Sequence, residues 1–180
     1  MYEKAYEILQ DSLIDIVSEE QAKLGYQKEA IRLYYPLSTL NHFFNSECDA
    51  DAMTEQLAAF PAYTLARLGT VQISHKGERF CFFLPEKASE YVHNNKAENE
   101  FIFELVALLQ KEHTTMQNVI DLFKKTDEHC VVKEMHNGEF DLLIFFSDAR
   151  DKYYYCFKDE GCHIIYHRFL PEDFNDFGFF

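Results

Sequence analysis

The sequence predicts an α+β protein whose two halves differ in the order of their elements. Residues 1–95 show helical and strand periodicity in the order helix, strand, helix, helix and β-hairpin. Residues 96–180 carry helical patterns first, followed by four strand-like segments with turn signals between them. Because hairpin signals connect the strand-like segments, we expect their strands to be antiparallel. We predict two domains, 1–95 and 96–180, with a single compact unit as the alternative.

The first predicted helix presents one apolar stripe. Its members recur at helical spacing and are Tyr2, Tyr6, Leu9, Leu13, Ile16 and Val17. Gly25 follows the last periodic residue and is predicted to end the helix.

A short strand and two helices are predicted next. Residues 30–35 are β-prone, and Pro36 closes the strand. Ser38 is predicted to cap the second helix and Asp51 the third, since side-chain oxygens of Ser and Asp accept hydrogen bonds from free helix N–H groups. Pro61 interrupts what would be one long third helix, because proline lacks a donor and clashes with the preceding turn.

The hairpin of the first half is predicted from a two-residue turn at Lys76-Gly77. This turn pairs His75 with Glu78, Ile73 with Phe80 and Val71 with Phe82, so that four apolar side chains share one face. A closing helix is predicted from Glu86 to His93.

The second half is predicted to be a four-stranded antiparallel meander covered by two or three helices. Residues 101–109 are apolar nearly all round, which indicates a buried helix. Thr114 or Thr115 is predicted to cap the next helix. Asn137-Gly138 is a strong hairpin signal, and the predicted strands are 130–135, 139–146, 152–158 and 162–169.

The element order of residues 1–95 resembles that of the winged-helix superfamily, at the level of the fold. Winged helices usually bind nucleic acid through basic surfaces, yet 17 basic residues against 31 acidic ones give this chain a net charge of −14. Phosphate backbones repel such a protein. Residues 52–68 offer only Gln56 and Arg67 as base-reading side chains. Nucleic acid is therefore not an expected partner.

Three segments are similar to a bacterial family known as a domain of unknown function. They are Leu33-Tyr34-Tyr35-Pro36-Leu37, Tyr153-Tyr154-Tyr155-Cys156 and Tyr166-His167-Arg168-Phe169. This resemblance covers the whole chain and implies no activity, substrate or site residue.

The Asn137-Gly138 hairpin brings together a candidate metal cluster. With a two-residue turn, Glu134 lies opposite Asp141, and His136 and Glu139 share a face beside the turn. Carboxylates and an imidazole are metal ligands, but a solvated hairpin tip in an acidic protein explains the same residues. We favour the solvated tip and predict no metal, no catalytic residue and no cofactor.

Histidine and cysteine side chains in the last strands are weak indications of a catalytic site or a disulfide. His163 and His167 share a face of the last strand, and the register expected from Gly161 places Tyr153 and Tyr155 opposite them. A half-buried aromatic face accounts for this arrangement better than acid–base chemistry does. Cys156 and Cys162 are expected on opposite faces, so that neither a disulfide nor a nucleophilic pair is indicated.

The C-terminal segment is unusually aromatic. Pro171 is predicted to begin a short helix, and the interaction candidates of this segment are Phe174, Phe177, Phe179 and Phe180. Packing on the chain's own sheet and contact with a partner or a second copy are both open. We expect Phe177 and Phe180 to be at least partly buried.

These observations favour a non-enzymatic protein-interaction or regulatory protein, with the acidic winged helix used for protein contacts. One variant is an inhibitor whose acidic face covers a basic partner. The alternative is a small enzyme or ligand-binding domain with its site between the halves. A DNA-binding regulator rests on fold analogy alone.

Five cysteines without a CxxC pair, no signal peptide and no membrane span indicate the cytoplasm. A homodimer is kept as an open alternative.

Overall fold

The computed structural model describes residues 2–148 and 151–176 and has the predicted α+β class. The chain divides into two compact units, Met1–Phe103 and Glu104–Phe180. Within the described residues, none of the helices is both long and apolar enough to cross a bilayer.

Unit 1 has the element order that the sequence predicts, with an additional short helix. Its elements are α1 (Glu3–Leu24), β1 (Ile31–Pro36), α2 (Leu37–Phe44), α3 (Ala50–Leu57), α4 (Phe60–Thr64), β2 (Gln72–Lys76), β3 (Arg79–Leu84), α5 (Glu86–Asn94) and a 3-10 turn (Lys96–Asn99). The three strands form an antiparallel sheet in the order β1-β3-β2. The boundary between the units falls within α6 (Glu100–Leu109).

The apolar stripe of α1 forms much of the core of unit 1. Leu9, Leu13 and Val17 are completely buried, and Tyr6 is nearly so. Gly25 ends α1 with a positive φ of 84°, and its N–H donates to the carbonyl of Gln21. The predicted helix and its stop are confirmed.

Both predicted helix caps of this region are wrong by two residues. The α2 helix begins directly after Pro36, since the Leu37 N–H donates to the Glu78 carbonyl at 2.7 Å and fixes the first turn there. Ser38 therefore lies inside α2. Asp49, and not Asp51, accepts the Ala52 N–H at 2.9 Å and caps α3.

A helix break is observed just before Pro61, between α3 and α4. Pro61 lies in the first turn of α4, where a missing N–H costs nothing because the first N–H groups of a helix have no partner within the helix. The predicted interruption is confirmed, and this region forms two short helices, α3 and α4.

The hairpin of unit 1 turns one residue later than predicted. Gly77 and Glu78 form the turn, Lys76 pairs with Arg79, and Ile73 pairs with Phe82 rather than Phe80. Gly77 supplies the positive φ, 57°, that this kind of turn needs at its first central position. The register differs by two residues, and an even shift keeps every side chain on its predicted face.

Unit 2 is the predicted four-stranded meander, and one helix packs on each face of its sheet. Its elements after α6 are α7 (Met116–Thr126), β4 (Val131–Glu134), β5 (Leu142–Phe145), β6 (Tyr154–Asp159), β7 (Ile164–Phe169) and α8 (Pro171–Asp176), and the sheet order is β4-β5-β6-β7. Thr115 and Asn118 form a capping box at the start of α7.

Phe123 and Phe174 cover opposite faces of this sheet. Phe123 of α7 packs edge-on against Tyr155 and Phe157, with ring centroids 5.1 and 5.9 Å away. Phe174 of α8 is completely buried and packs against Tyr154. Phe123 and Phe174 thus anchor α7 and α8 to the two faces of the sheet.

The Asn137-Gly138 hairpin has a larger loop than predicted. The Asn137 side-chain oxygen accepts the N–H groups of both Glu139 and Phe140 at 3.0 Å, which lengthens the loop and turns Phe140 into the core. As a result Glu134 pairs with Leu142. The predicted pairing of Glu134 with Asp141 is wrong.

The last hairpin also differs from its predicted register. Asp159 pairs with Ile164, and the Asp159 carboxylate accepts the Gly161 N–H at 2.8 Å within the intervening loop. His167 consequently pairs with Cys156, whereas Tyr155 pairs with Arg168. The predicted placement of Tyr153 and Tyr155 on the histidine face is wrong, because adjacent residues of a strand point to opposite faces.

Candidate interaction surface

Helices α3 and α4 expose an apolar and acidic surface in unit 1, hereafter the α3–α4 surface. Met53, Leu57 and Phe60 point inward and are buried. The exposed positions of the same segment are Asp51, Thr54, Glu55, Ala58, Ala59, Ala62, Tyr63, Leu65 and Ala66. Leu65 is 52% exposed and Tyr63 is 36% exposed. Large apolar side chains here remain in contact with water, which is typical of a binding surface when they lie together.

Basic residues are missing from this part of the sequence. Residues 33–66 contain no Lys or Arg. Arg67, which follows the surface, lies 3.9 Å from the Asp11 carboxylate and over the ring of Tyr91 at 5.9 Å. Lys87 also borders the surface, where its ammonium donates to the Leu65 carbonyl at 2.9 Å. Residues 51–66 themselves carry no cation that could neutralise a phosphate.

Tyr6 of α1 is the centre of an aromatic cluster beneath one end of this surface. Its ring lies 5.4 Å from Phe60, 5.5 Å from Tyr63, 5.9 Å from Phe44 and 6.3 Å from Tyr2. Such tilted and edge-on contacts are the preferred geometry of aromatic pairs. The cluster joins α1, α2 and α4, and it holds the exposed rings of Tyr2 and Tyr63 in place.

A hydrogen bond fixes the same cluster to α3. The Tyr6 hydroxyl donates to the Gln56 carbonyl at 2.6 Å. Partial burial raises the pKa of Tyr6 above its ordinary value. The hydroxyl therefore stays protonated and remains a donor at neutral pH.

A polar groove of about 820 Å³ lies beside α2. Asn41 organises the loop at its edge: the amide nitrogen donates to the Cys48 carbonyl at 2.9 Å, and the amide oxygen accepts from the Ser46 hydroxyl at 2.8 Å. The Cys48 thiol also donates to this oxygen, at 3.3 Å. Asn41 therefore uses its hydrogen bonds to hold the loop in shape.

A second, smaller pocket of about 70 Å³ lies at the end of α1. Gln21 donates through its side-chain nitrogen to the Ser89 carbonyl at 2.9 Å. Ser89 in turn donates its hydroxyl to the Glu29 carbonyl at 2.8 Å. These bonds connect α1, the following loop and α5.

The residues of the candidate metal cluster are all exposed. The nearest atoms of Glu134 and His136 are 4.0 Å apart. Asp141 instead accepts the Asp159 N–H at 2.8 Å and the Lys158 ammonium at 3.3 Å, and these hydrogen bonds hold its pKa below the ordinary value. Glu139 lies in the same loop. No three or more His, Cys, Asp or Glu side chains in the described ranges are arranged to hold a metal ion.

The histidine and tyrosine candidates of the last strands lie on separate faces of the sheet. The His167 ring packs 5.7 Å from Phe140. On the other face, Arg168 lies over Tyr153 at 4.4 Å, and the Tyr155 hydroxyl donates to the Asp151 carboxylate. Side chains that acid–base chemistry would need together are therefore kept apart.

Cys156 and Cys162 differ in burial and therefore in the reactivity of their thiols. Cys156 is completely buried, and burial raises the pKa of its thiol to about 12. Cys162 is exposed, with its sulfur 3.0 Å from the His163 Nδ1. A buried thiol with so high a pKa is inert as a nucleophile.

The aromatic C-terminal segment is only partly described. Phe174 packs inside unit 2, against Tyr154 and Phe169. Phe177, Phe179 and Phe180 lie outside the described residues. An interaction role for this segment stays a prediction.

Sequence comparison places the chain in a family. A family described as a domain of unknown function, E. rectale gene description (DUF3877), matches residues 6–178. The chain belongs to the DUF3877 family. No curated protein and no solved structure matches it. The similarity to a family of unknown function is confirmed, and this DUF3877 membership carries no activity with it.

The sequence prediction named interaction residues only at the C-terminus and assigned protein contacts to residues 1–95 as a whole, without singling out the α3–α4 surface. The signal was present in the sequence, since alanines at 58, 59, 62 and 66 alternate with Tyr63 and Leu65 and no basic residue interrupts them. Periodicity alone did not reveal which of these side chains face water.

Proposed function

We propose that this protein is a non-enzymatic, cytoplasmic protein-interaction or regulatory protein that binds its partner through the α3–α4 surface. In this proposal residues 1–95 form a winged-helix domain, and residues 96–180 form a second domain. The single observation that carries the proposal is the composition of the α3–α4 surface.

The position of this surface in the element order indicates which class of partner it binds. In a winged helix, the helix that precedes the hairpin is the one that reads base edges, and it needs Arg, Lys, Asn or Gln to do so. At that position this chain exposes Glu55, Tyr63 and Leu65 together with small alanines. Protein interfaces favour aromatic and apolar anchors at their centre. A surface of this kind suits a protein partner better than nucleic acid.

The thiols support the proposed compartment. All five cysteines are free, and Cys48, Cys81 and Cys130 are only partly buried. Free, partly accessible thiols persist in reducing compartments such as the cytoplasm.

Site-specific photo-crosslinking tests the proposal. A photoreactive amino acid replaces Leu65 in one version of the protein and Leu24 in another. Leu24 is a matched control because it is 72% exposed at the end of α1, outside the α3–α4 surface. We expect one discrete protein adduct with the Leu65 version and none with the Leu24 version. No adduct, or the same adducts in both versions, would contradict the proposal.

A further inference from the structure

Among the described residues, Tyr2 and Tyr63, unlike Tyr34 and Tyr153, have no basic side chain over their rings. Arg79 lies over Tyr34 at 4.4 Å, and Arg168 lies over Tyr153 at the same distance. Within the part of the chain that the structure describes, no Lys or Arg lies over Tyr2 or Tyr63, although each is 36% exposed. The exposed part of each tyrosine, at one end of the α3–α4 surface, is thus accessible to a cation from another molecule.

Unpaired carboxylates accompany these rings. Glu3 and Glu7 follow Tyr2 and Tyr6 on α1, and Glu55 precedes Gln56, the residue that the Tyr6 hydroxyl contacts. All three glutamates are exposed, and among the described residues none of their side chains forms an ion pair or a hydrogen bond. A cation brought to these rings therefore meets free negative charge as well.

Two contacts show that the part of α1 that contains Glu7 runs along α4 and the residues after it. Asp11 lies 3.9 Å from Arg67, and the Tyr6 ring lies 5.5 Å from the Tyr63 ring, so the two segments run side by side. Glu7 is one helical turn before Asp11, and Tyr63 is four residues before Arg67. The row Glu3, Glu7 and Asp11 hence borders the α4 segment.

We infer that the end of the α3–α4 surface formed by Tyr2, Tyr63, Glu3, Glu7 and Glu55 binds a cationic amphipathic helix of a partner protein. This inference rests on the proposed function. Arginine side chains of that helix lie over the tyrosine rings and pair with the glutamates, and its apolar side chains pack on Leu65 and the neighbouring alanines. Aromatic faces attract cations through their quadrupole, and guanidinium groups also pair with carboxylates in a defined geometry.

Charge complementarity selects this occupant over others. A second copy of the chain brings its own net charge of −14 and the same unpaired glutamates. Duplex nucleic acid brings phosphates to a surface on which exposed carboxylates outnumber the neighbouring cations of Lys4, Arg67 and Lys87. A helix with arginine on one face and leucine on the other satisfies both the carboxylates and the exposed apolar side chains.

A binding experiment with a designed peptide tests this inference. The probe is a short fluorescent helical peptide with leucine on one face and arginine on the other, and binding to the full-length protein is followed by anisotropy. A leucine–glutamate peptide and a fluorescent DNA duplex serve as comparison probes. We expect the arginine peptide to bind at physiological ionic strength and the two acidic probes to show no binding.

Protein variants decide whether that binding is specific to the site. Tyr63→Leu removes the aromatic face, and we expect it to weaken binding by about two- to fivefold. Glu7→Gln removes one carboxylate, with an expected loss of about twofold, whereas Tyr63→Phe retains the ring and keeps its affinity. The matched controls are Tyr34→Leu, whose ring Arg79 already covers, and Glu112→Gln, which removes an exposed carboxylate from unit 2.

Three outcomes would overturn the inference. They are no binding of the arginine peptide, equal losses in the control variants, or a Tyr63-dependent dimer in sedimentation, which would make a second copy the occupant. Melting curves identify any variant that is unfolded, and if Tyr63→Leu is unfolded, Glu7→Gln against Glu112→Gln decides the inference. If the Leu65 crosslink forms while Tyr63→Leu and Glu7→Gln leave it unchanged, the proposed function stands and this inference fails.

Discussion

The hydroxyl of Tyr6 donates a 2.6 Å hydrogen bond to the main-chain carbonyl of Gln56, fifty positions along the sequence. The bond joins the longest helix of unit 1 to α3, next to the exposed ring of Tyr63. Tyr6 therefore has two structural roles. Its ring packs in the core of unit 1, and its hydroxyl holds α3, which carries part of the α3–α4 surface.

We predict that Tyr6→Phe destabilises the protein without changing its fold. The ring contacts remain, but the Gln56 carbonyl loses its donor, at an expected cost of about 1 kcal/mol. Urea unfolding measures this change, with Tyr34→Phe as the exposed control. If the two variants unfold at the same urea concentration, the Tyr6 hydrogen bond does not contribute to stability.

Phe174 is predicted to anchor the C-terminal helix. Its side chain is completely buried against Tyr154 and Phe169, so Phe174→Ala leaves a cavity and lowers the free energy of unfolding by about 3–5 kcal/mol. Glu112→Ala, at an exposed position of unit 2, is the control, with a change within about 0.5 kcal/mol. A melting temperature of Phe174→Ala equal to that of the wild type would contradict this packing.

Stability is predicted to fall at alkaline pH because of Tyr35. This side chain is buried against the Ser12 hydroxyl, and burial raises its pKa well above the ordinary value of 10. A raised pKa in the folded state means that the native protein holds the proton more tightly than the unfolded chain. The contribution to stability is thus complete below pH 10 and is lost progressively above it.

Urea unfolding of the wild type and of Tyr35→Phe, measured below and above pH 10, checks whether Tyr35 causes the loss of stability. The variant lacks the titrating group, so its free energy of unfolding is expected to decline less steeply with pH. Parallel pH profiles for the two proteins would show that Tyr35 is not responsible.

The thiols are predicted to react in a fixed order. Cys162 is exposed, whereas Cys156 is completely buried with a pKa raised to about 12. A thiol reagent should label Cys162 in the native protein, and Cys156 only after denaturation. Mass spectrometry of digested samples reads out both sites. Native labelling of Cys156 at the rate of Cys162 would be incompatible with its burial in the sheet.

The sequence predicted the elements far better than their exact pairing. The stripe that contains Leu9 and Leu13 is regular over several turns, so helix α1 and its buried face follow directly from it. The hairpin registers depend on single turn residues. A side-chain oxygen of Asn137 that binds two backbone N–H groups adds loop residues, and this moved Glu134 opposite Leu142.

The candidate surface was less predictable for a different physical reason. Alanine is compatible with both buried and exposed helix positions, so Ala58, Ala59 and Ala62 indicate neither. Their exposure follows from the turn at Pro61, which begins a new helix and directs Phe60 inward. Such a change of direction depends on tertiary packing rather than on local propensity.

Quantitative co-purification with Leu65→Lys and Leu24→Lys is the most direct test of the central claim. Both substitutions place one cation at an exposed leucine, and only Leu65 belongs to the α3–α4 surface. We predict that Leu65→Lys loses the proteins that co-purify with the wild type, and that Leu24→Lys retains them with an unchanged melting temperature. Retention of the same proteins by Leu65→Lys, at wild-type amounts, would contradict the claim that this surface binds a protein partner.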